Sequence, residues 1–396
     1  MLNDFRFEPK TKLFFGKGAE DQVGQEVLRY ADSCLLHYDG GPYLDALLGR
    51  VRDSLEKAGV RVFELSGVRP NPRYGLIAQG MELCRRENIG FVLAVGGGSV
   101  MDSAKLIAGG AHFPGDVWEQ WGKQPVTHQV LPHGAITTLA GTGSELSAAA
   151  MVQNDDLPSP VKKGFGAPEL CFDFAIVNPE LLYTLPLRQT AAGAMDIVSH
   201  AMESYFSCTP HAYLLDGVLE TVIRTAMQAA LVCKDTPDDY DARGNLLLSS
   251  YIAVHGLHIP PTMGDWVVHN IEKPLTNLYG GTHGVNLGIL TLAWLKHSYK
   301  RDIAKFEQWA TNCMGVPRDI YDPQETIFRG IDRLRHWLLD LGLPTRLSEI
   351  GIGEERFEEA AELALSVAGF TGREGTIGRV TKLTFEQILE VYRMAL

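Results

Sequence analysis

The chain has 396 residues, of which 45% are hydrophobic, and its formal net charge at pH 7 is −12. This length is better divided between two domains than packed around one core, and the composition is that of a globular protein. The negative charge argues against nucleic-acid binding, because a phosphate backbone needs a clustered basic face and the Lys and Arg residues here are scattered among acids.

Short apolar runs alternate with longer amphipathic segments from about residue 33 to residue 112. The pattern predicts strands at Cys34–Tyr38, Val60–Leu65 and Phe91–Val95, and helices at Leu44–Ala58, Tyr74–Glu87 and Val100–Ala111. Short runs at Gly134–Leu139, Ala148–Gln153 and Ala175–Val177 are predicted to complete the strand set. The run Phe91–Val95 is continuously apolar, as a strand covered by helices on both faces must be. We therefore expect an α/β fold with a doubly wound, Rossmann-like parallel sheet.

The pattern changes near Pro186. From Leu187 to the end of the chain, helical periodicity dominates and β-branched runs are few. The sequence therefore predicts an N-terminal α/β domain at residues 1–186 and an all-α C-terminal domain at residues 187–396.

A glycine-rich turn, Gly96-Gly-Gly-Ser-Val-Met-Asp-Ser-Ala-Lys105, follows the apolar strand and opens a helix. Glycines let the backbone approach an anion while the first helical N–H groups point at it, so the turn predicts a diphosphate site. It is not a Walker loop, and Met101 replaces the third glycine of a G-x-G-x-x-G pattern. Asp102 could cap the helix or orient a ribose or a nicotinamide amide. A plain strand-to-helix turn is the alternative.

Two further segments offer groups to the same ligand. Gly141-Thr-Gly-Ser-Glu145 is a second loop that carries glycine and hydroxyl groups. Asp39 ends the first strand, where a carboxylate can accept hydrogen bonds from both ribose hydroxyls of an adenosine and would repel a 2′-phosphate. An aspartate that only shapes the turn before Gly40 and Gly41 remains the alternative.

Asp196 and His200 are four residues apart in a segment without proline, which places them on one face of a helix. His269 and His283 follow further along the chain. Three imidazoles and one carboxylate suit Fe(II) or Zn(II), and they suit calcium or magnesium poorly. Unrelated surface or core residues are the alternative, but the nucleotide turn upstream is independent support for a metal-assisted enzyme.

With these residues identified, the chain resembles the iron-containing (group III) alcohol dehydrogenases, most of all the butanol dehydrogenases and broad aldehyde reductases. The likeness covers nearly the whole chain. Its motifs are Phe5-Arg-Phe7, Phe15-Gly-Lys-Gly18, Pro70-Asn-Pro72, the turn at 96–105, Thr137-Thr-Leu-Ala-Gly-Thr-Gly-Ser-Glu145, Gly193-Ala-Met-Asp-Ile-Val-Ser-His200, Gly264-Asp-Trp266 and His283-Gly284.

The resemblance implies a dinucleotide-binding α/β domain, a helical metal-binding domain and an active site in the cleft between them. By motif, the metal ligands are Asp196, His200, His269 and His283. Gly97, Gly98, Ser99 and Asp102 resemble the diphosphate and ribose contacts, and Asn71, Thr138, Thr142, Ser147 and Lys162 resemble the remaining cofactor positions. No residue is assigned as a catalytic acid or base.

The chain departs from the family pattern at two places. Where relatives that use NADP have Tyr-Gly-Gly-Gly-Ser and a nearby lysine, this chain has Asp39, Pro42 and Leu44, which favours NAD over NADP. Lys273 replaces the second imidazole of the usual His-x-x-x-His pair. It could act as a donor or a general acid, or it could be a solvated helix lysine.

A second histidine pair, His255 and His258, lies shortly before Gly264 and is interpreted as pocket lining rather than as metal ligands, since four ligands are already assigned.

The predicted reaction is reversible hydride transfer between a primary alcohol or aldehyde and NAD(H). The alternatives are a cyclase or lyase of the same fold, similar to dehydroquinate synthase, and a catalytically silent nucleotide-binding protein. The N-terminus lacks a basic start followed by an apolar run, and the six cysteines show no C-x-x-C pair. We therefore expect a cytoplasmic protein that binds neither nucleic acid nor membranes. Its expected partners are a small-molecule alcohol or aldehyde and a second copy of the chain in a homodimer.

Overall fold

A computed structural model describes residues 2–120, 128–157, 161–256 and 262–396. The chain forms two compact units, one at Glu8–Thr184 and the other at Leu185–Leu396 together with the N-terminal segment up to Phe7. The first residues thus group with the helical unit, although the sequence placed them with the α/β domain. The assignment of nucleotide and metal binding to domains 1–186 and 187–396 remains a prediction.

The described part of the α/β unit contains strands and helices in alternation. The strands are β1 (Lys12–Phe15), β2 (Ser33–Tyr38), β3 (Arg61–Leu65), β4 (Phe91–Gly96), β5 (His133–Thr137), β6 (Ala149–Asn154), β7 (Val161–Gly166) and β8 (Phe174–Val177). The helices are α1 (Val23–Leu28), α2 (Asp45–Lys57), α3 (Tyr74–Glu87), α4 (Gly98–Gly110) and α5 (Val117–Gln120). Six of these strands form one sheet in the order β1-β8-β5-β4-β2-β3, and every neighbouring pair is parallel.

Strand β4 shows why the sheet is covered on both sides. Phe91, Leu93 and Val95 belong to an apolar core that includes residues of α1 and α2, whereas Val92 and Ala94 belong to a second core with residues of α3 and α4. Successive side chains of a strand point to opposite faces, so helices lie on both faces of the sheet. This confirms the doubly wound α/β fold predicted from the apolar run.

One predicted strand lies elsewhere. The segment near Ala148–Gln153 forms β6, which pairs with β7 as an antiparallel ribbon and does not join the parallel sheet. Along β6, buried and more exposed residues alternate, because only one face of the ribbon is covered. The apolar composition of the segment hid this alternation. The edge strand β1 and strand β7 were not predicted.

The second unit is helical, as predicted. Its helices are α6 (Leu187–Tyr205), α7 (Tyr213–Asp235), α8 (Tyr240–His255), α9 (Val267–Tyr279), α10 (His283–Ser298), α11 (Ile303–Asn312), α12 (Pro323–Asp340), α13 (Phe357–Val367) and α14 (Phe385–Met394). Helix α6 is central: it is buried on all sides from Thr190 to Tyr205 and packs against α7, α8 and α10. In the described ranges, no helix combines the length and apolarity that crossing a membrane requires.

Candidate functional site

The core of the candidate metal centre lies on α6. Asp196 and His200 project from the same face of this buried helix, and Nδ1 of His200 is 3.4 Å from Oδ1 of Asp196. Both side chains are almost fully buried. Burying a carboxylate in this way costs free energy unless an opposite charge or a cation compensates it.

Helix α9 brings His269 to the same place. Gly264 makes the close approach possible, because a Cβ atom there would lie 2.5 Å from the carbonyl oxygen of Glu203 on α6. Trp266 precedes the helix in a left-handed conformation with a φ of 58°. Nε2 of His269 then lies 3.8 Å from Oδ1 of Asp196.

His283 is the first residue of α10, and its Nε2 is 3.7 Å from Oδ1 of Asp196. The next residue, Gly284, sets how closely α10 approaches α6. A Cβ atom at position 284 would lie only 2.0 Å from the carbonyl oxygen of Ala192. The side chain of His283 is 34% exposed, so the group has one wetter side.

We expect Gly284→Ala to destabilise the protein by about 3 kcal/mol, since the new methyl group must push α10 away from a backbone carbonyl. The measurement is urea unfolding of the metal-free protein. Gly217→Ala is the matched control: it lies inside α7, and a Cβ atom there has nothing within 4 Å. That substitution should be stabilising by about 0.5–1 kcal/mol. Equal stability of the two variants would contradict the close approach.

These donor atoms fit a shared cation. Oδ1 of Asp196, Nδ1 of His200 and Nε2 of His269 are all buried without a hydrogen-bond partner. Each of the three residues offers a ligand atom within 4.8 Å of those of the other two. Two donors bound tetrahedrally to one Fe(II)- or Zn(II)-sized ion are separated by roughly 3.3–3.8 Å, given bond lengths near 2.0–2.3 Å. The three imidazoles lie 3.4, 3.8 and 3.7 Å from Oδ1 of Asp196. Buried polar atoms normally have a bonding partner, and a divalent cation would provide one for these three atoms.

The electrostatics agree with this assignment. Burial lowers the pKa of His200 to about 3, so this imidazole is neutral at pH 7. Burial alone would raise the pKa of Asp196, but the surrounding imidazoles hold it well below its usual range. Burial also opposes charge on His269, yet its interactions with the carboxylates of Asp196 and Glu203 outweigh it and raise the pKa of His269 to about 9. Binding of a cation at Nε2 would therefore release a proton.

Sequence reasoning missed two carboxylates behind the imidazoles. Oε1 of Glu203 is 3.2 Å from Nδ1 of His269, and Oε2 of Glu272 is 2.7 Å from Nδ1 of His283. Carboxylate partners of this kind orient metal-binding histidines in many proteins. A signal for Glu203 was available, because it lies seven residues after Asp196 on the same helical face.

Lys273 and His255 also lie in this unit. Lys273 follows His269 by one helical turn, is half-buried, and its Nζ donates to Oδ1 of Asn270 at 3.3 Å. His255 ends α8 and is close enough to His200 to help lower its pKa, although burial and the imidazoles of His269 and His283 lower it more. His258 lies outside the described residues. The roles proposed for these side chains stay predictions.

The glycine-rich turn lies between β4 and α4, as predicted. Gly97 is the N-cap of α4, and Val100 and Met101 donate the first helical hydrogen bonds to its carbonyl oxygen. The N–H groups of Gly98 and half-buried Ser99 precede them, at the helix start where an anion binds. A Cβ atom at Gly98 would lie 2.6 Å from Oγ1 of Thr142, so the second loop packs directly on the turn.

The sheet topology supports this location. From β2 the chain continues to β3 on one side of the sheet, whereas from β4 it continues to β5 on the opposite side. The strand order therefore reverses between the adjacent strands β2 and β4. Ligands of open α/β sheets bind at the carboxyl ends of the strands at such a reversal. Asp39 and Gly96 stand at the carboxyl ends of these two strands.

The carboxylate of Asp39 makes hydrogen bonds within its own turn. Oδ1 accepts the N–H of Gly41 at 2.7 Å, and Oδ2 accepts the hydroxyl of Tyr43. Asp39 therefore shapes the turn, as the alternative interpretation held. Its half-exposed position at the end of β2 leaves the ribose contact as a prediction.

Asp102 links α4 to the β6 ribbon and does not cap its own helix. Its carboxylate accepts the hydroxyl of Ser144 at 2.6 Å and the N–H of Met151 at 2.9 Å. Lys105 is fully buried and donates to the same Ser144 hydroxyl at 2.9 Å. Burial raises the pKa of Asp102 and lowers the pKa of Lys105 to about 8. This chain of polar groups fixes the 141–147 loop beside the turn.

The other predicted cofactor positions lie partly on the segments beside the turn and partly at Asn71 and β7. The N–H of Thr138 donates to the carbonyl of Gly96 at 3.1 Å, which keeps Thr138 beside the turn. Nζ of Lys162, on β7, donates to Oδ1 of Asn71 at 2.7 Å, although the two residues are far apart in the chain. Ser147 accepts the N–H of Ala149 at 2.9 Å. Contact between these residues and a dinucleotide remains a proposal.

Comparison with known proteins identifies the family. The iron-containing alcohol dehydrogenase family matches residues 9–179, and its C-terminal family matches residues 190–396. The chain is 36% identical over 391 residues to NADH-dependent butanol dehydrogenase A of Clostridium acetobutylicum, with 98% of each chain covered. It is 30% identical to the NADPH-dependent aldehyde reductase YqhD of Escherichia coli, with 89% of this chain and 90% of the relative covered.

A solved structure agrees. The crystal structure of NADH-dependent butanol dehydrogenase A from Thermotoga maritima has a TM-score of 0.91 at 32% identity, and 100% of this chain and 99% of that chain are covered. Full-length similarity at this identity, together with both family matches, confirms the resemblance read from the motifs. The chain belongs to the iron-containing alcohol dehydrogenase family and is an oxidoreductase of its alcohol dehydrogenase and aldehyde reductase type.

Proposed function

We propose that this protein interconverts primary alcohols and aldehydes by hydride transfer with NAD(H) and depends on a divalent metal held by Asp196, His200, His269 and His283. The observation that carries the proposal is the set of buried, unpartnered donor atoms on Asp196, His200 and His269. The names of the relatives agree, because those at 36%, 34% and 33% identity are NADH-dependent butanol dehydrogenases or probable ones.

The preference for NAD is supported by Asp39. A carboxylate at the end of β2 suits a ribose with free hydroxyls and repels a 2′-phosphate. Gly97, Gly98, Ser99, Asp102 and the 138–147 loop would hold the diphosphate and the adjoining ribose. Asn71 and Lys162, joined by their hydrogen bond, would act as one pair toward the cofactor.

When bound, a divalent cation supplies Lewis-acid stabilisation of negative charge on the substrate oxygen. Residues of the chain are already in the protonation state that such a cation requires. Asp196 and neutral His200 offer donor atoms that are already in metal-binding form. The half-buried ring of Trp266 lies 6.0 Å from His200 and 5.5 Å from His269, between ring centroids, and gives the centre an apolar wall. We infer that the substrate carries an apolar chain or ring. Fe(II) and Zn(II) both suit this donor set, and occupancy follows their availability.

The test uses metal-free protein reconstituted with Fe(II) or Zn(II) and a panel of aldehydes with NADH or NADPH. The loss of reduced-nicotinamide absorbance is measured. We expect metal-dependent oxidation of NADH with short unbranched or aromatic aldehydes. Tight NADH binding without oxidation of NADH across the panel would identify a silent binding protein. The cyclase or lyase alternative requires turnover without net absorbance change, and the relatives named above do not favour it.

We also propose a cytoplasmic homodimer. Strand β1 is an edge of the parallel sheet, and its Leu13 and Phe15 are 39% and 41% exposed. An exposed apolar edge strand invites pairing, and a second copy of the chain is the occupant we propose. The six cysteines are all free thiols, as expected in a reducing compartment. Light scattering of the purified protein tests the dimer, and a monomeric mass would refute it.

A further inference from the structure

Behind the candidate metal centre, a single carboxylate oxygen makes two hydrogen bonds to one residue. Oε1 of Glu203 accepts the backbone N–H of His269 at 2.9 Å and the ring Nδ1–H of His269 at 3.2 Å. We propose that Glu203 is a positioning residue that fixes the ring of His269 with Nε2 toward Asp196, and thereby sets how tightly the helical unit holds a divalent cation. This inference rests on the proposed function only in taking these donors as a cation site.

The first hydrogen bond is a helix cap supplied from another helix. Helix α9 begins at Val267, so the N–H of His269 is among the first groups of the helix, which have no acceptor within it. Capping side chains normally come from the residue just before the helix. Here Trp266 occupies that position and makes no side-chain cap, and Glu203 of α6 supplies the acceptor. The backbone of His269 is therefore fixed relative to the helix that carries Asp196.

The second hydrogen bond selects the ring nitrogen that faces the centre. A neutral imidazole that donates from Nδ1 has its lone pair on Nε2, and this is the form that binds a metal once the Nε2 proton has left. Nε2 of His269 is buried and unpartnered, 3.8 Å from Oδ1 of Asp196. Without the carboxylate, the ring could rotate about its side-chain bonds, or its proton could move to Nε2. Either change would remove one donor from the set.

Other contacts hold the α6 to α9 junction without the Glu203 side chain. The carbonyl of Glu203 accepts the N–H of Asp265 at 2.9 Å. The carboxylate of Asp265 in turn accepts the N–H groups of Arg379 and Val380 at 2.7 and 2.8 Å and the hydroxyl of Thr381 at 2.7 Å. The entry to α9 is thus held by hydrogen bonds of Asp265 that do not involve the Glu203 side chain. A substitution at Glu203 should alter the His269 ring more than the fold.

Glu272 is the second carboxylate behind an imidazole. It accepts from Nδ1 of His283 at 2.7 Å and also from Thr276 and Asn286. His283 is also the more exposed ring, at 34% of its side chain against 7% for His269. Glu203 thus fixes both the backbone and the ring of the more buried histidine, and it is the carboxylate whose loss we expect to matter more.

The experiment compares Glu203→Ala and Glu203→Gln in the metal-free protein. Affinity for Zn(II) is measured by competition with a chromophoric chelator, without any turnover assay. Removal of an outer carboxylate partner typically weakens metal binding about 10- to 100-fold, and we expect this for Glu203→Ala. Glutamine keeps an acceptor oxygen for both N–H groups, so Glu203→Gln should stay within about threefold of the unmodified protein if orientation is the role.

The matched control is Glu220→Gln. Glu220 is also a buried glutamate of the helical unit, and it accepts from Tyr205, Gln308 and Asn312 at 2.9 Å each. We expect it to leave Zn(II) affinity unchanged. Unaltered affinity of Glu203→Ala would overturn the proposal, and so would an equal loss in Glu203→Gln, because charge rather than orientation would then be the cause. If the unmodified protein itself fails to bind Zn(II) or Fe(II), the proposed function fails instead.

A second readout covers the case in which Glu203→Ala does not fold. Nitrogen-15 NMR of the Zn(II)-loaded, unmodified protein and of Glu203→Gln reports which ring nitrogen of His269 carries a proton. We expect a protonated Nδ1 and a metal-bound Nε2 in both. Metal bound through Nδ1 would refute the assignment without any need for the alanine variant.

Discussion

Asp196→Ala is expected to abolish stable metal binding and to lower kcat/KM by about three orders of magnitude or more, because Lewis-acid stabilisation contributes several kcal/mol and each tenfold costs about 1.4 kcal/mol. Oδ1 of Asp196 is the atom that all three imidazoles approach, at 3.4, 3.8 and 3.7 Å. The substitution also removes the negative charge that the three neighbouring imidazoles surround. Metal content by elemental analysis and turnover with an aldehyde and NADH are measured on the same preparation.

The matched control is Asp332→Ala. Asp332 and His336 on α12 have the same spacing as Asp196 and His200, and Nδ1 of His336 lies 3.2 Å from Oδ2 of Asp332. Their side chains are 60% and 62% exposed, however, so solvent satisfies them and no metal role is expected. Asp332→Ala should retain full metal content and turnover. NADH binding should persist in both variants, and an Asp196→Ala protein that keeps its metal would refute the ligand assignment.

The same pair shows what the sequence could and could not predict about the metal centre. A helical Asp-x-x-x-His spacing occurs at 196–200 and at 332–336, so spacing alone does not identify a metal site. Burial and the arrival of His269 and His283 distinguish the two, and both depend on tertiary packing. The family motifs selected the buried pair because they carry that packing information indirectly. Glu272 offered no comparable signal, since its contact with His283 crosses from α9 to α10.

In the α/β unit, too, some features could be predicted from the sequence and others could not. The alternation of apolar runs predicted α3 with its bounds and placed β2, β3 and β4 to within a residue or so, because each is a regular element with a clear buried face. The placement of β6 was wrong, because an apolar segment of that length does not reveal which sheet it joins. The pairing of Asn71 with Lys162 depends on the β6 and β7 ribbon, so local pattern could not have predicted it.

Asp39→Gly is expected to raise the ratio of kcat/KM for NADPH to that for NADH by about 10- to 100-fold, which corresponds to about 1.4–2.7 kcal/mol. The reason is the charge at the carboxyl end of β2. A carboxylate there repels the 2′-phosphate of NADPH, and it is the group that would accept the ribose hydroxyls of NADH. Because Asp39 is half-exposed, solvent screens this repulsion, so the effect should be moderate and should shrink at high salt.

Two controls separate this charge from the role of Asp39 in its turn. Asp39→Asn keeps an oxygen that can accept the N–H of Gly41 but removes the charge, so it should shift the ratio in the same direction. Tyr43→Phe removes the hydroxyl that donates to Asp39 while the charge stays, so the ratio should hold. If Asp39→Gly weakens both dinucleotides alike and Asp39→Asn changes neither, the carboxylate only shapes the turn. The preference for NAD must then come from other residues around the adenosine ribose.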